Sequence, residues 1–254
     1  MKKTILILTT AMALLASCKK DDNKGGIFKG PEKPVYHGKA WTWIELNNEG
    51  IIERSAIALN DDVLNTVTVG TGNGGGTHTH ENNIELPFHP VAATVGIFNH
   101  VGLDWNPDGH PPVGIYNKPH FDFHYYMVTS QERAGFLDPV KLAKDMPAEY
   151  LPANYFGGDP VPAMGKHYVD LTSPELNGAP FTQTFIHGSY DGKLAFMEPM
   201  ITLEFLKATT NFERQLPQPA KFQRSGYYPT KMRITKANGV TNIILEGFVY
   251  RQAS

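Results

Sequence analysis

Between Gly109 and Tyr126 the chain reads Gly-His-Pro-Pro and then Pro119-His120-Phe121-Asp122-Phe123-His124-Tyr125-Tyr126. Successive side chains of an extended strand point to opposite faces, so His120, Asp122 and His124 line one face and Phe121, Phe123 and Tyr125 the other. Solvent-facing strand positions usually carry Thr, Lys, Ser or Glu, and two imidazoles bracketing a carboxylate are a different chemistry. If that face looks into the protein, its polar groups are costly to bury alone, and a divalent metal would satisfy all of them. The spacing also sets a constraint. Positions i and i+4 of a strand are about 13 Å apart, too far for both histidines to reach one ion unless the strand bends.

Further candidates lie downstream. Met164 to Asp170 offers His167, Phe185 to Ser189 offers His187, and Leu194 to Met200 places Glu198 on the apolar face of Leu194 and Phe196. A carboxylate on an apolar strand face is rarely buried without a partner. His110, in the Pro-rich turn before the strand, could close the site. The expected ligand set is therefore His120, Asp122, His124, His167 and Glu198, with His110 and His187 as additional candidates and zinc, iron or manganese as the ion. Two other chemistries use the same residues: a metal-free hydrogen-bonded network, and an acid/base site in which a carboxylate orients an imidazole. A metal-dependent hydrolase or oxygen-using enzyme stays open as a function, with Asp122 or Glu198 as base. His37, His78, His80, His89 and His100 are expected to be exposed or locally satisfied.

Other chemistries are excluded by what the sequence lacks. It has no Gly-x-Ser-x-Gly elbow, no Ser-x-x-Lys and no His-Glu-x-x-His. The run Gly70 to His80 is glycine-rich but lacks the Gly-Lys-Ser/Thr ending of a phosphate loop, and reads as a mobile loop. With 23 basic against 25 acidic residues the chain has no electrostatic footprint for nucleic acid. One cysteine rules out a disulfide framework.

The elements that must position these residues read as β-structure. Ala40 to Leu46 and Ile51 to Leu59 flank Asn47-Asn48-Glu49-Gly50 as a hairpin, and Phe181 to Ile186 and Leu194 to Leu203 flank a turn ending in Asp191-Gly192. Tyr227 to Lys236 and Val240 to Tyr250 flank Ala237-Asn238-Gly239, and Ala92 to Trp105 and His120 to Thr129 have strand character. Helix signals are few: Ser130 could cap a short helix ending before Pro139, and Leu203 to Arg214 is a second candidate weakened by Thr209-Thr210. The expected fold is all-β, a single sandwich or barrel-like domain with hairpins and one or two short helices.

The N-terminus reads as an address. Lys2 and Lys3 precede an apolar run from Thr4 to Leu15, which ends in Leu15-Ala16-Ser17-Cys18. That quartet resembles the lipobox of bacterial lipoproteins, and the only cysteine of the chain occupies its acylated position. The resemblance implies a signal peptide over 1–18, a flexible tether over 19–34 and an all-β domain over 35–254, held at the outer membrane or cell surface by lipid on Cys18. Lys20-Asp21-Asp22 is similar to the charged tag of surface-exposed lipoproteins. The membrane is thus the one partner implied; a small ligand, a protein partner and self-association stay open.

Finally, the blocks "WNPDGHPPVGIYNKPHFDFHYY", "MGKHYVD", "FIHGSYDGKLAFMEPMIT" and "GYYPTKMRITKANGVTNIILEGFVYR" resemble an uncharacterised family of secreted bacterial all-β proteins. That family has the same order of a G-H-x-P turn, a P-H-F-D-F-H strand, a G-x-H block and an E-P-M block. The likeness spans roughly Trp41 to Arg251. It implies an all-β domain and transfers no reaction.

Overall fold

Two antiparallel sheets face each other across an apolar layer in the computed structural model, which describes residues 25–70 and 83–254. The first sheet contains β1 (Gly26–Lys29), β2 (Lys33–Val35), β3 (Gly38–Leu46), β4 (Ile52–Asn60), β12 (Asn211–Gln215), β14 (Lys231–Ala237) and β15 (Val240–Glu246). Their order is β1-β3-β4-β15-β14-β12, with β2 also paired to β3. The second contains β5 (Ile84–Pro87), β6 (His100–Asn106), β7 (His120–Tyr126), β8 (Tyr155–Val161), β9 (Gly165–Asp170), β10 (Gln183–Tyr190) and β11 (Lys193–Thr202), in the order β5-β6-β7-β11-β10-β9-β8. A short ribbon of β13 (Gly226–Tyr228) and β16 (Val249–Arg251) lies outside both. The architecture is an open sandwich, not a closed barrel.

Turn chemistry fixes the hairpins. Asn238 and Gly239 both have positive φ (51° and 74°), as do Asp191 and Gly192 (52° and 71°), which matches the right-handed twist of the strands they join. Pro229-Thr230 and Gly247 break the two long C-terminal runs, so each yields two strands where one is expected. Ala92–Val95 is a short helix, α2, and only from His100 does the chain enter β6. The segment Leu203 to Arg214 divides likewise into a helix (Leu203–Ala208) and β12, the helix ending at Thr209. Thr129, not Ser130, caps α3 (Ser130–Ala134), through a capping box with Glu132. Pro139 does not stop that helix but opens the next, α4 (Pro139–Ala143).

Strand β1 lies inside the expected tether, where Ile27 and Phe28 pair with Glu45 and Ile44. The segment expected to be a signal peptide, Cys18 and most of the run Gly70 to His80, with His78 and His80, lie outside the described residues.

β7 shows how the layers divide. All seven of its residues are buried, on both faces. Phe121, Phe123 and Tyr125 enter the inter-sheet core with Ile57, Leu59, Ile243 and Leu245. The Tyr125 hydroxyl crosses to the opposite sheet, accepting from the Ile57 amide at 3.1 Å and donating to the Ile243 carbonyl at 2.8 Å. Ile57 and Ile243 are register partners on β4 and β15, so one phenol ties β7 to the centre of the first sheet. Tyr125→Phe leaves a buried amide and carbonyl short of this partner and should cost about 1–3 kcal/mol in urea unfolding. Unchanged stability would show that the tie contributes nothing.

Candidate metal centre

The other face of β7 points away from the core. It would be the solvent face of the sheet, but the loop 107–119, the α3–α4 segment and the turn before β10 roof it over. His120, Asp122 and His124 are fully buried there. Tyr116 and Phe181 close one end of the roof, and Phe181 meets the His120 ring edge-on at 5.2 Å. Phe196 closes the middle, 5.0 Å from the His124 ring and 5.2 Å from that of His167. Gly188 permits this: a Cβ there would sit 1.9 Å from the tip of the Phe196 ring. Tyr126 stacks on His124 at 5.5 Å from the far side.

Beneath the roof the side chains form two groups. His110, His120 and Asp122 present ligand atoms within 4.8 Å of one another, and so do His124, His167 and Glu198. The expected single five-ligand set is thus divided, for the reason its spacing foretold: β7 is straight enough to keep His120 and His124 in separate groups. Strand β9 brings His167, β11 brings Glu198, and the turn around Gly109 brings His110.

In the first group Asp122 is held by Asn106, whose amide donates at 2.7 Å, and faces His120 Nε2 at 3.2 Å and His110 Nε2 at 3.5 Å. Both imidazoles have their Nδ1 atoms 2.7 Å from backbone carbonyls, of Lys118 and Pro111. That contact places the proton on Nδ1 and turns an Nε2 lone pair inward. Burial opposes charge on His110, but the carboxylate of Asp122 more than offsets it and raises the pKa.

In the second group Glu198 faces His124 Nε2 at 3.4 Å and His167 Nε2 at 3.7 Å. Both Glu198 oxygens are buried without a hydrogen-bond partner. His124 Nδ1 lies 3.0 Å from Asp104, which Asn83 in turn holds at 3.0 and 2.9 Å. Burial pushes the Glu198 carboxyl up to about 8. Burial also disfavours charge on His124, yet Glu198, Asp104 and Asp122 prevail and raise it to about 9.

The remaining histidines sort by face. His187 is buried on the inner face of β10, with Phe185 and Tyr155 around it, so the sheet separates it from both groups and it is no ligand with them. Burial holds it neutral, with a pKa near 4. His100 is locally satisfied, its Nδ1 3.2 Å from Asn99 Oδ1, and not exposed: it is buried on β6, stacked on Tyr126 at 4.9 Å, and likewise lowered to about 4, mainly by burial. His37 is exposed, and His89 accepts from the Val91 amide at 3.3 Å, as expected. Glu198 shares its face with Phe196 but not with Leu194, because a bulge between Gly188 and Ser189 shifts the register. The supporting residues Asp104, Asn106 and Asn83 were not singled out in the sequence. The only signal for the first two is that Leu103-Asp104-Trp105-Asn106 alternates polar and apolar as β7 does.

Comparison of the chain with protein-family models, curated proteins and solved structures gave no match. Geometry alone therefore marks the site. Two buried His/carboxylate groups, each able to hold a metal ion, lie side by side on one sheet face.

The shifts predict a pH profile for the protein stripped of metal by a chelator. Folded values of about 8 for Glu198 and about 9 for His124 exceed the ordinary 4.5 and 6.5. At these two groups the folded state thus binds more protons than the unfolded one, and above pH 6.5, where His100 and His187 are neutral in both states, their contribution to stability is lost as pH rises through the folded values. Tm should fall from pH 6.5 to 9 in the parent, and Glu198→Gln, which mimics the protonated acid, should flatten the fall. Parallel curves for the two proteins would remove Glu198 as the cause.

Proposed function

We propose that the protein is a lipid-anchored component of the bacterial cell envelope whose β-sandwich holds a divalent transition metal. The ion is placed first at His124, His167 and Glu198. The observation that carries this is Glu198 itself: a fully buried carboxyl with neither oxygen hydrogen-bonded, faced by two imidazole nitrogens. A cation between them would satisfy all three, and Asp104 behind His124 is the orienting partner that metal-bound imidazoles ordinarily have. Imidazole-rich sets of this kind suit zinc, iron or manganese better than calcium or magnesium, which prefer oxygen. The adjacent group of His110, His120 and Asp122 is a second place for an ion.

Catalysis by such a metal is the second reading, favoured by one feature. Each group supplies three protein ligands, and catalytic sites keep a further position open. Depth counts against a large substrate. Among the described residues of the second group only His167 reaches the surface, with 11% of its side chain exposed, while His124 and Glu198 have none. Binding of the ion is therefore the primary function proposed.

The envelope part rests on the sequence Leu15-Ala16-Ser17-Cys18. No helix among the described residues is long and apolar enough to cross a membrane, which leaves acylated Cys18 as the proposed attachment.

Metal analysis of the protein purified without chelator tests the first part. At least about one transition-metal ion per chain is expected, with a gain in Tm on adding the same metal to stripped protein. His124→Ala should lose at least one ion while keeping its β circular dichroism. Equal metal content in parent and variant, or no metal in either, would reduce the cluster to a hydrogen-bonded scaffold. For the anchor, Cys18→Ser should abolish acylation and move the protein from the membrane to the soluble fraction; continued membrane association would refute lipid attachment at Cys18.

A further inference from the structure

The inner face of the second sheet is wider than the first sheet can cover. Over β10 and β11 the roof is instead the connection between β12 and β13, folded back so that the Leu216 amide donates to the Thr230 carbonyl at 2.8 Å. Beneath it lies a cavity of about 730 Å³, within the range of small-molecule sites. Its walls include Phe185, Met197, Leu216 and Phe222. Three cations, Lys193, Lys221 and Arg224, stand among its lining residues, all exposed. Among the described residues no aspartate or glutamate side chain lines it. Among its lining residues His187 is buried and neutral, and its Nδ1 lacks a hydrogen-bond partner.

An apolar interior beneath a cationic rim selects for a molecule with an apolar body and a negative head. A cationic amphiphile would be repelled by the three cations, and a neutral hydrocarbon would make no use of them, whereas an anionic head would be drawn to the rim. The buried imidazole adds a hydrogen-bonding position inside that a purely apolar occupant would waste. This cavity is separated from the histidine groups by the thickness of the sheet, so it does not depend on any metal being bound.

We propose that the cavity binds a small amphipathic anion, with a chain-like apolar body against Phe185, Met197, Leu216 and Phe222 and a carboxylate or similar head at Lys193, Lys221 and Arg224.

Titration calorimetry with dodecanoate, below its micelle concentration, tests this on the full chain carrying Cys18→Ser. Under the reading above that chain bears no acyl groups of its own and needs no detergent. The expected result is one dodecanoate per chain, with dodecyltrimethylammonium about tenfold weaker or more. Combined Lys193→Glu, Lys221→Glu and Arg224→Glu, all at exposed positions, should abolish that preference. Leu194→Trp, which fills the cavity from its wall, should weaken dodecanoate about tenfold with circular dichroism unchanged. Absence of dodecanoate binding, equal affinity for the anionic and cationic amphiphiles, or full affinity in the triple variant would each overturn the proposal.

Discussion

Three carboxyl groups and five imidazoles are buried on the outer face of the second sheet, and the surrounding structure is arranged around the cost of putting them there. An ionised carboxylate taken from water into such a place loses several kcal/mol of hydration unless a partner replaces it. Asp122 has Asn106 and two imidazoles; Asp104 has Asn83 and His124. Glu198 alone has no hydrogen-bond donor on either oxygen. Of the three carboxyls Glu198 is therefore the least compensated, and its burial raises its pKa. A shared proton with His124 relieves the shortfall in the unliganded protein, and a divalent ion would relieve it more completely, because it brings two charges to a place built with acceptors on several sides.

The roof follows from the same constraint. A sheet face of histidines open to water would need no cover and would titrate near the ordinary value for imidazole. Here Tyr116 and Phe181 shield one group, and Phe196 lies across Gly188 to shield the other. Excluding water strengthens each charge interaction beneath. It also fixes ring orientation, since each imidazole of the first group is tied at Nδ1 to a backbone carbonyl belonging to the roof or its edge. The aromatic side of β7 provides the matching rigidity from below, where Tyr125 ties it to β4 and β15. A strand clamped on both faces is a firm base for ligands, because neither the backbone nor the rings can relax when an ion enters or leaves.

Much of this was legible in the sequence because a strand has a period of two. Alternation alone assigned His120, Asp122 and His124 to one face and the aromatic residues to the other, and the Asn-Gly and Asp-Gly turns marked hairpins correctly. The same period, through the 13 Å between i and i+4, exposed the difficulty of a single site. What alternation could not supply was which neighbours sit across the sheet. Asp104 is brought to His124 by the pairing of β6 with β7, and pairing order is set by tertiary contacts that no local pattern records. His187 shows the limit from the other side. Its neighbourhood reads as polar as that of His167, but register puts it opposite Tyr168, on the inner face. Leu194 was misplaced because a bulge inserts one residue and inverts the alternation beyond it. The N-terminal boundary was misjudged because Lys, Gly and Pro composition hides a strand that needs only backbone pairing with β3.

Division into two groups has a chemical consequence. A single ion bound by five protein ligands would be coordinatively saturated and serve as a staple. Two groups of three would leave any ion bound there short of a full shell, a shortfall that water or another small donor would meet. Such a site can exchange or pass on its ion, since fewer bonds break on release. The depth of burial works against speed, so exchange would be gated by the one member, His167, that touches solvent. The sheet also keeps the two faces of the domain chemically separate. One holds histidines and carboxyls under an aromatic roof, and the other holds an apolar cavity with a cationic rim. The two meet through β10 and β11 and at Val128, which lines the cavity and packs against the cluster of Tyr126 and Phe196, so occupancy of one face could be felt at the other along these elements.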